Sequence, residues 1–112
     1  MTSLFQNIEK ALAEIADGWT TEEQACTMAS AIVALRQAVS VEIGVYAGKG
    51  LVSMALAHKS ICHGVAIGID PYSVAASVQG QVNPADKSWW DKLDHDRIYK
   101  LAQDNIENLG VF

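Results

Sequence analysis

Apolar side chains recur along this chain at two different periods, and the switches between them mark its parts. Phe5, Ile8, Leu12 and Ile15 follow one another at helical intervals. Ser3 and Gln6 read as a capping box ahead of that run, with Gly18 as its stop. A second box, Thr20 with Glu23, opens a stronger helix, in which Ala25, Met28, Ala29, Ile32 and Val33 form one stripe to about Arg36. From Val39 to Val45 the run is short, β-branched and nearly free of charge, as suits a buried parallel strand. Leu51, Met54 and Ala55 predict a helix ending near His58. Val65, Ala66, Ile67 and Ile69 then predict a second buried strand, closed by Asp70-Pro71. Tyr72 to Pro84 is polar and rich in small residues, with Gly80 and Asn83-Pro84 as breakers. Helical spacing resumes over Asp86 to Leu93, is re-capped at Asp94, and runs on through Ile98, Leu101, Ala102 and Leu109; Val111-Phe112 would start a third strand. The order α-α-β-α-β-α with parallel strands predicts an α/β fold.

Composition narrows the setting. A chain of 112 residues is one domain at most. Its net charge of −5 supplies no basic stripe for phosphates, which excludes nucleic acid as a partner by electrostatics. No apolar run approaches ~18 residues, and Glu9 and Glu14 interrupt the N-terminal region, so neither a membrane span nor a signal peptide is expected. Cys26 and Cys62 have no metal-type spacing and read as reduced thiols of a cytoplasmic protein.

The candidate chemistry lies in Glu42-Ile43-Gly44-Val45-Tyr46-Ala47-Gly48-Lys49-Gly50 and in the Ile69-Asp70-Pro71 that follows. Glycines directly after a strand let the backbone turn sharply and approach a ligand. A carboxylate at the tip of the next strand can accept ribose hydroxyls. A Walker-type phosphate loop needs four residues between its first glycine and Gly-Lys; only Val45, Tyr46 and Ala47 stand there, and Gly50 replaces the magnesium-binding hydroxyl. The dinucleotide fingerprint would place Tyr46 and Lys49 where its second and third glycines belong. NAD is therefore the weaker alternative.

Glu42-x-Gly44-x-x-x-Gly48-x-Gly50 with Asp70 resembles the first two motifs of class I S-adenosylmethionine-dependent methyltransferases. Val41 to Gly50, Gly68-Ile69-Asp70-Pro71-Tyr72-Ser73 and Ser88-Trp89-Trp90 are similar to a bacterial subgroup acting mostly on small molecules. The resemblance implies a partial Rossmann-like methyltransferase fold, truncated after about the second or third strand. Residues 1–38 would be a helical cap and 39–112 the cofactor-binding half of a single incomplete domain. It also implies S-adenosylmethionine as cofactor and a small-molecule methyl acceptor. Glu42 would orient the methionyl end, Gly44, Gly48 and Gly50 would let the loop pass beneath the cofactor, and Asp70 would accept the ribose hydroxyls. Tyr46 would line that site or cover the sheet edge. The family's groups nearest the transferred methyl come from later strands, so no catalytic residue is assigned. Such a chain would be a fragment, a half-domain pairing with a copy of itself as a homodimer through an exposed sheet edge, or a non-catalytic assembly module.

Other candidates have plainer readings. Asp94-His95-Asp96 reads as helix-capping acids and not as a metal site. Cys62-His63 falls at the end of the sheet opposite the glycine loop, and His58 reads as a helix-end cation. Adjacent on a helix, Trp89 and Trp90 point about a hundred degrees apart, so one is expected in the core and the other at an interface or pocket wall.

Overall fold

Paired caps at the start of the chain fix its first two helices. The structure, a computed structural model, describes residues 2–109. In α1 (Leu4–Glu14) the Ser3 hydroxyl accepts from the Gln6 N–H while the Gln6 side chain accepts from the Ser3 N–H, as the sequence predicts. In α2 (Glu22–Leu35) the box is Thr21 with Gln24, one residue later than the Thr20–Glu23 frame. Both frames satisfy the same pattern; the later one turns Ala25, Ala29 and Ile32 inward together. Val33 stays exposed, so the stripe is narrower than expected.

β1 (Val39–Ile43), α3 (Lys49–Ser60) and β2 (Val65–Ile69) follow, and the strands pair in parallel from Val39 with Val65 to Ile43 with Ile69. The expected loop after β2 contains a short helix, α4 (Val74–Val78), started by the Ser73 hydroxyl. α5 (Pro84–Lys92) begins at Asn83, and α6 (His95–Asn108) is capped by Asp94, which accepts from the Arg97 N–H. The chain is thus a mixed α/β unit with a two-stranded parallel sheet. The third strand expected at Val111-Phe112 lies outside the described residues.

α3 is the hub. It packs against α1 and α2 through Ile8, Ala25, Ala29, Ile32, Met54 and Ala57. Farther along, Ala11, Ile15, Ala47 and Val52 form a second cluster with Leu101, Ile106 and Leu109 from the α6 segment. Each fully buried aliphatic side chain stabilises the fold by about 1.5–3 kcal/mol.

The sheet departs from the buried strands that the sequence suggests. Ser40 is buried and Glu42 half-buried beneath α3, while the partners Val39, Val41, Ile43, Val65, Ile67 and Ile69 share the opposite, open face. An alanine side chain at Gly68 would meet Leu51 and Val45 at 2.7 Å, so the covered side of β2 takes only small residues. Alternation is present but inverted: small and polar residues lie under the helix and bulky aliphatics lie outside.

His58 lies in the last turn of α3, as expected, but turns inward. It is 3% exposed, with Nδ1 2.8 Å from the His63 carbonyl and Nε2 2.8 Å from Ser40 Oγ. A carbonyl can only accept, so Nδ1 donates to it, while Nε2 and the Ser40 hydroxyl share the second bond. Ser40 Oγ in turn accepts from Gln37 Nε2 at 3.0 Å. This chain of bonds ties α3 to the entry of both strands.

Candidate functional site

The glycine loop and the tip of β2 are joined by one carboxylate. Asp70 Oδ2 accepts from the backbone N–H groups of Val45 (2.8 Å) and Tyr46 (3.0 Å), and Oδ1 accepts from Tyr72 N–H (2.9 Å). A carboxylate has about four acceptor positions, so three are taken and one on Oδ1 remains. Across the strands, Gly44 N–H donates to the Ile69 carbonyl at 2.8 Å. The carboxyl ends of both strands are thereby locked together, the place where open α/β sheets bind ligands.

Gly44 has φ +87° and lines the cleft, and a side chain there would meet nothing within 4 Å. Its glycine is required by the backbone and leaves open space above. Gly48 starts α3 with φ +101° and no side-chain cap. Glu42 acts as the cap instead, its carboxylate accepting from the Leu51 N–H in the first turn of α3. Gly50 makes room, since a side chain there would run into that carboxylate.

Burial pushes the Glu42 carboxyl above its ordinary range; the Leu51 N–H opposes this and the Asp70 charge adds to it. A carboxyl raised in the folded state favours its protonated form. Its contribution to stability is therefore full below the unfolded-state value and is lost as pH rises through the folded one. Glu42→Gln keeps an acceptor for Leu51 without the charge. It is expected to unfold at higher urea than the parent at neutral pH, with the gap closing below about pH 4. A gap independent of pH would show that charge is not the cause.

Two tyrosines complete the floor. Tyr46 (φ +54°) and Tyr72 (φ +45°) adopt left-handed backbone that side chains rarely accept, each costing about 1–2 kcal/mol. The Tyr72 hydroxyl donates to the Tyr46 carbonyl at 2.7 Å, and the Tyr46 hydroxyl donates to Asp17 at 3.2 Å. Burial, then the charge of Asp70, holds the Tyr72 phenol at about 12, so it serves as a neutral donor. Burial and Asp17 likewise raise Tyr46.

Above this floor lies a cleft of about 390 Å3, lined by Trp19, Gly44, Tyr46, Asp70, Tyr72, Trp90 and His95 among others. A crevice of about 90 Å3 beside it is bounded by Asp17, Trp19, Glu42, Gly44 and Tyr46. Tyr46 lines both. Trp19 and Tyr46 have ring centroids 4.7 Å apart, and Trp90 stands 6.0 Å from Trp19 and 6.4 Å from Tyr46. Neither Trp89 nor Trp90 is a core residue: Trp90 is half-buried on the cleft, and Trp89 is exposed on the edge of Trp19. His95 stacks on Trp90. Trp19 escapes local sequence reasoning, because its partners Tyr46, Trp89 and Trp90 are all distant in sequence; its one signal is a tryptophan between Gly18 and a helix cap.

Of the sequence-predicted residues, Gly44 and Tyr46 line both spaces, Asp70 the cleft and Glu42 the crevice, whereas Gly48 and Gly50 are buried and line neither. Among the described residues no three metal-ligating side chains converge, and no helix is long and apolar enough to cross a membrane. Cys26 and Cys62 are free thiols. The arrangement is a cleft at the strand ends of an α/β unit, acidic and aromatic in lining. Comparison with models of protein families, with curated proteins and with solved structures finds no match.

Proposed function

We propose that the cleft binds S-adenosylmethionine and that the chain is the cofactor-binding portion of a small-molecule methyltransferase. The observation that carries this reading is Asp70, which bonds the glycine loop to the tip of β2 and keeps one acceptor position free. A ligand with ribose and no phosphate suits the cleft, which Asp70 and aromatic rings line without a lysine or arginine, Lys49 standing only in the smaller crevice. The geometry supports one ribose hydroxyl on Asp70, fewer than the pair that the sequence resemblance implies. Glu42, desolvated and next to another acid, is placed to favour a cationic group. Trp19, Tyr46, Tyr72 and Trp90 offer apolar faces to a purine. Tyr46 fills the position where a dinucleotide pyrophosphate needs glycine, which disfavours NAD.

Bound S-adenosylmethionine supplies an electrophilic methyl group on a sulfonium. What these residues contribute is binding and orientation, the larger part of catalysis in an in-line methyl transfer. Isothermal calorimetry tests the reading. S-adenosylhomocysteine is expected to bind at micromolar concentration, and NADH and ATP are expected to give no heat. A folded sample that prefers NADH, or that takes up none of the three, overturns it.

A further inference from the structure

Among the described residues, the buried polar side chains are those of Ser40, Ser53, His58 and His95. The first three are fully engaged: Ser40 and His58 bond each other, His58 also bonds the His63 carbonyl, and Ser53 donates to the Lys49 carbonyl. His95 differs. It is 8% exposed, and its one bond runs from Nε2 to the Trp90 carbonyl at 3.4 Å. A carbonyl can only accept, so Nε2 holds the hydrogen and, in the neutral ring, Nδ1 is a bare acceptor. Nδ1 has no partner among the described residues. Gln37 Oε1 is the only fully enclosed side-chain atom without a partner there, so His95 Nδ1 keeps an opening to solvent. The space that His95 borders is the cleft above Asp70. Proteins seldom leave a buried polar atom unpaired without a use for it.

We infer that His95 selects the base of the bound ligand, its Nδ1 accepting a hydrogen bond from the exocyclic amino group of adenine. This rests on the cofactor reading above. S-adenosylmethionine carries three kinds of N–H or O–H donor: ribose hydroxyls, an α-ammonium and that amino group. Asp70 accepts from the ribose, and Glu42 favours the ammonium from the crevice, which His95 does not border. The amino group is the donor left for the cleft, whose 390 Å3 falls within the roughly 300–1,000 Å3 of small-molecule sites. Trp90 holds the imidazole twice, by its carbonyl and by an indole face inclined only 19° to it. The direction of the acceptor is thereby set before a ligand arrives. Hypoxanthine, with a carbonyl in place of the amino group, would set lone pair against lone pair and leave both unpaired.

Calorimetry of the whole chain at about pH 8, above the ordinary imidazole range, compares S-adenosylhomocysteine with S-inosylhomocysteine, its hypoxanthine counterpart. The adenine compound is expected to bind about tenfold more tightly, the worth of one hydrogen bond gained against one refused. His95→Phe is expected to weaken it and to bring the two compounds within about twofold of each other. Should that variant unfold, nitrogen-15 NMR of the histidine-labelled parent decides the matter. The His95 Nδ1 signal is expected to move strongly upfield with the adenine compound and little with the other. Equal affinities, a gap that survives His95→Phe, or an Nδ1 signal that stays in place overturns the inference and leaves the cofactor reading standing. Binding of neither compound overturns both.

Discussion

Asp70→Ala is expected to lower the stability of the fold by about 3 kcal/mol, read from urea unfolding, and to loosen the glycine loop before it unfolds. Each hydrogen bond to a charged acceptor is worth about 1.5–3 kcal/mol, and water recovers part of the loss at a half-exposed site. Three such bonds end on this carboxylate, from Val45, Tyr46 and Tyr72. Asp70→Asn is expected to lose less, because its amide oxygen still accepts from two donors while its NH2 group faces a third N–H. Amide exchange at Val45, Tyr46 and Tyr72 should quicken in both variants. A loss of ligand binding in Asp70→Ala is therefore ambiguous alone. Unchanged stability and exchange with lost binding would show that the carboxylate serves the ligand and not the loop.

Gly64→Ala should be as damaging, although Gly64 is exposed to solvent. At φ +82° its new methyl would stand 2.7 Å from the Ala38 carbonyl oxygen, 2.8 Å from that of Gln37 and 2.6 Å from His58 Nδ1. Two of these obstacles are backbone and cannot rotate away. Left-handed strain of about 1–2 kcal/mol adds to an overlap of similar size, for a total of about 3 kcal/mol. The bond from His58 to the His63 carbonyl is the first expected to break, with Ser40 following. Chemical denaturation would reveal the shift as a lower midpoint at unchanged slope. A midpoint within experimental error of the parent would mean that the β2 entry yields, contrary to this geometry.

Much of the architecture is legible in the sequence because it is local. The Ser3–Gln6 box, the Asp94 cap and the pairing of two β-branched runs around a glycine loop depend on neighbours along the chain. The Thr21 cap differs by one residue from the expected one because Thr20-x-x-Glu23 and Thr21-x-x-Gln24 overlap, and only burial chooses between them. The inverted strand is visible in Val-Ser-Val-Glu-Ile, but a β-branched run does not say which face is covered. That choice is made by His58, which takes Ser40 inward, and by the start of α3, which takes Glu42. At the site, loop spacing locates Glu42, Gly44, Tyr46 and Asp70. It does not reveal that three amides already occupy Asp70, since those bonds follow from the φ and ψ of the loop. The aromatic wall is out of reach altogether, being a meeting of the α1–α2 link with α5.

That meeting gives the protein an optical property. All three tryptophans of the chain belong to it, with centroid separations of 5.6 Å for Trp19–Trp89, 6.0 Å for Trp19–Trp90 and 4.9 Å for Trp89–Trp90. Transition dipoles so close couple as excitons, so the indole spectrum belongs to the trio and not to separate rings. The indole part of the near-ultraviolet ellipticity thus reports a single joint of the molecule, the one at which Trp90 of α5 meets Trp19 and Tyr46.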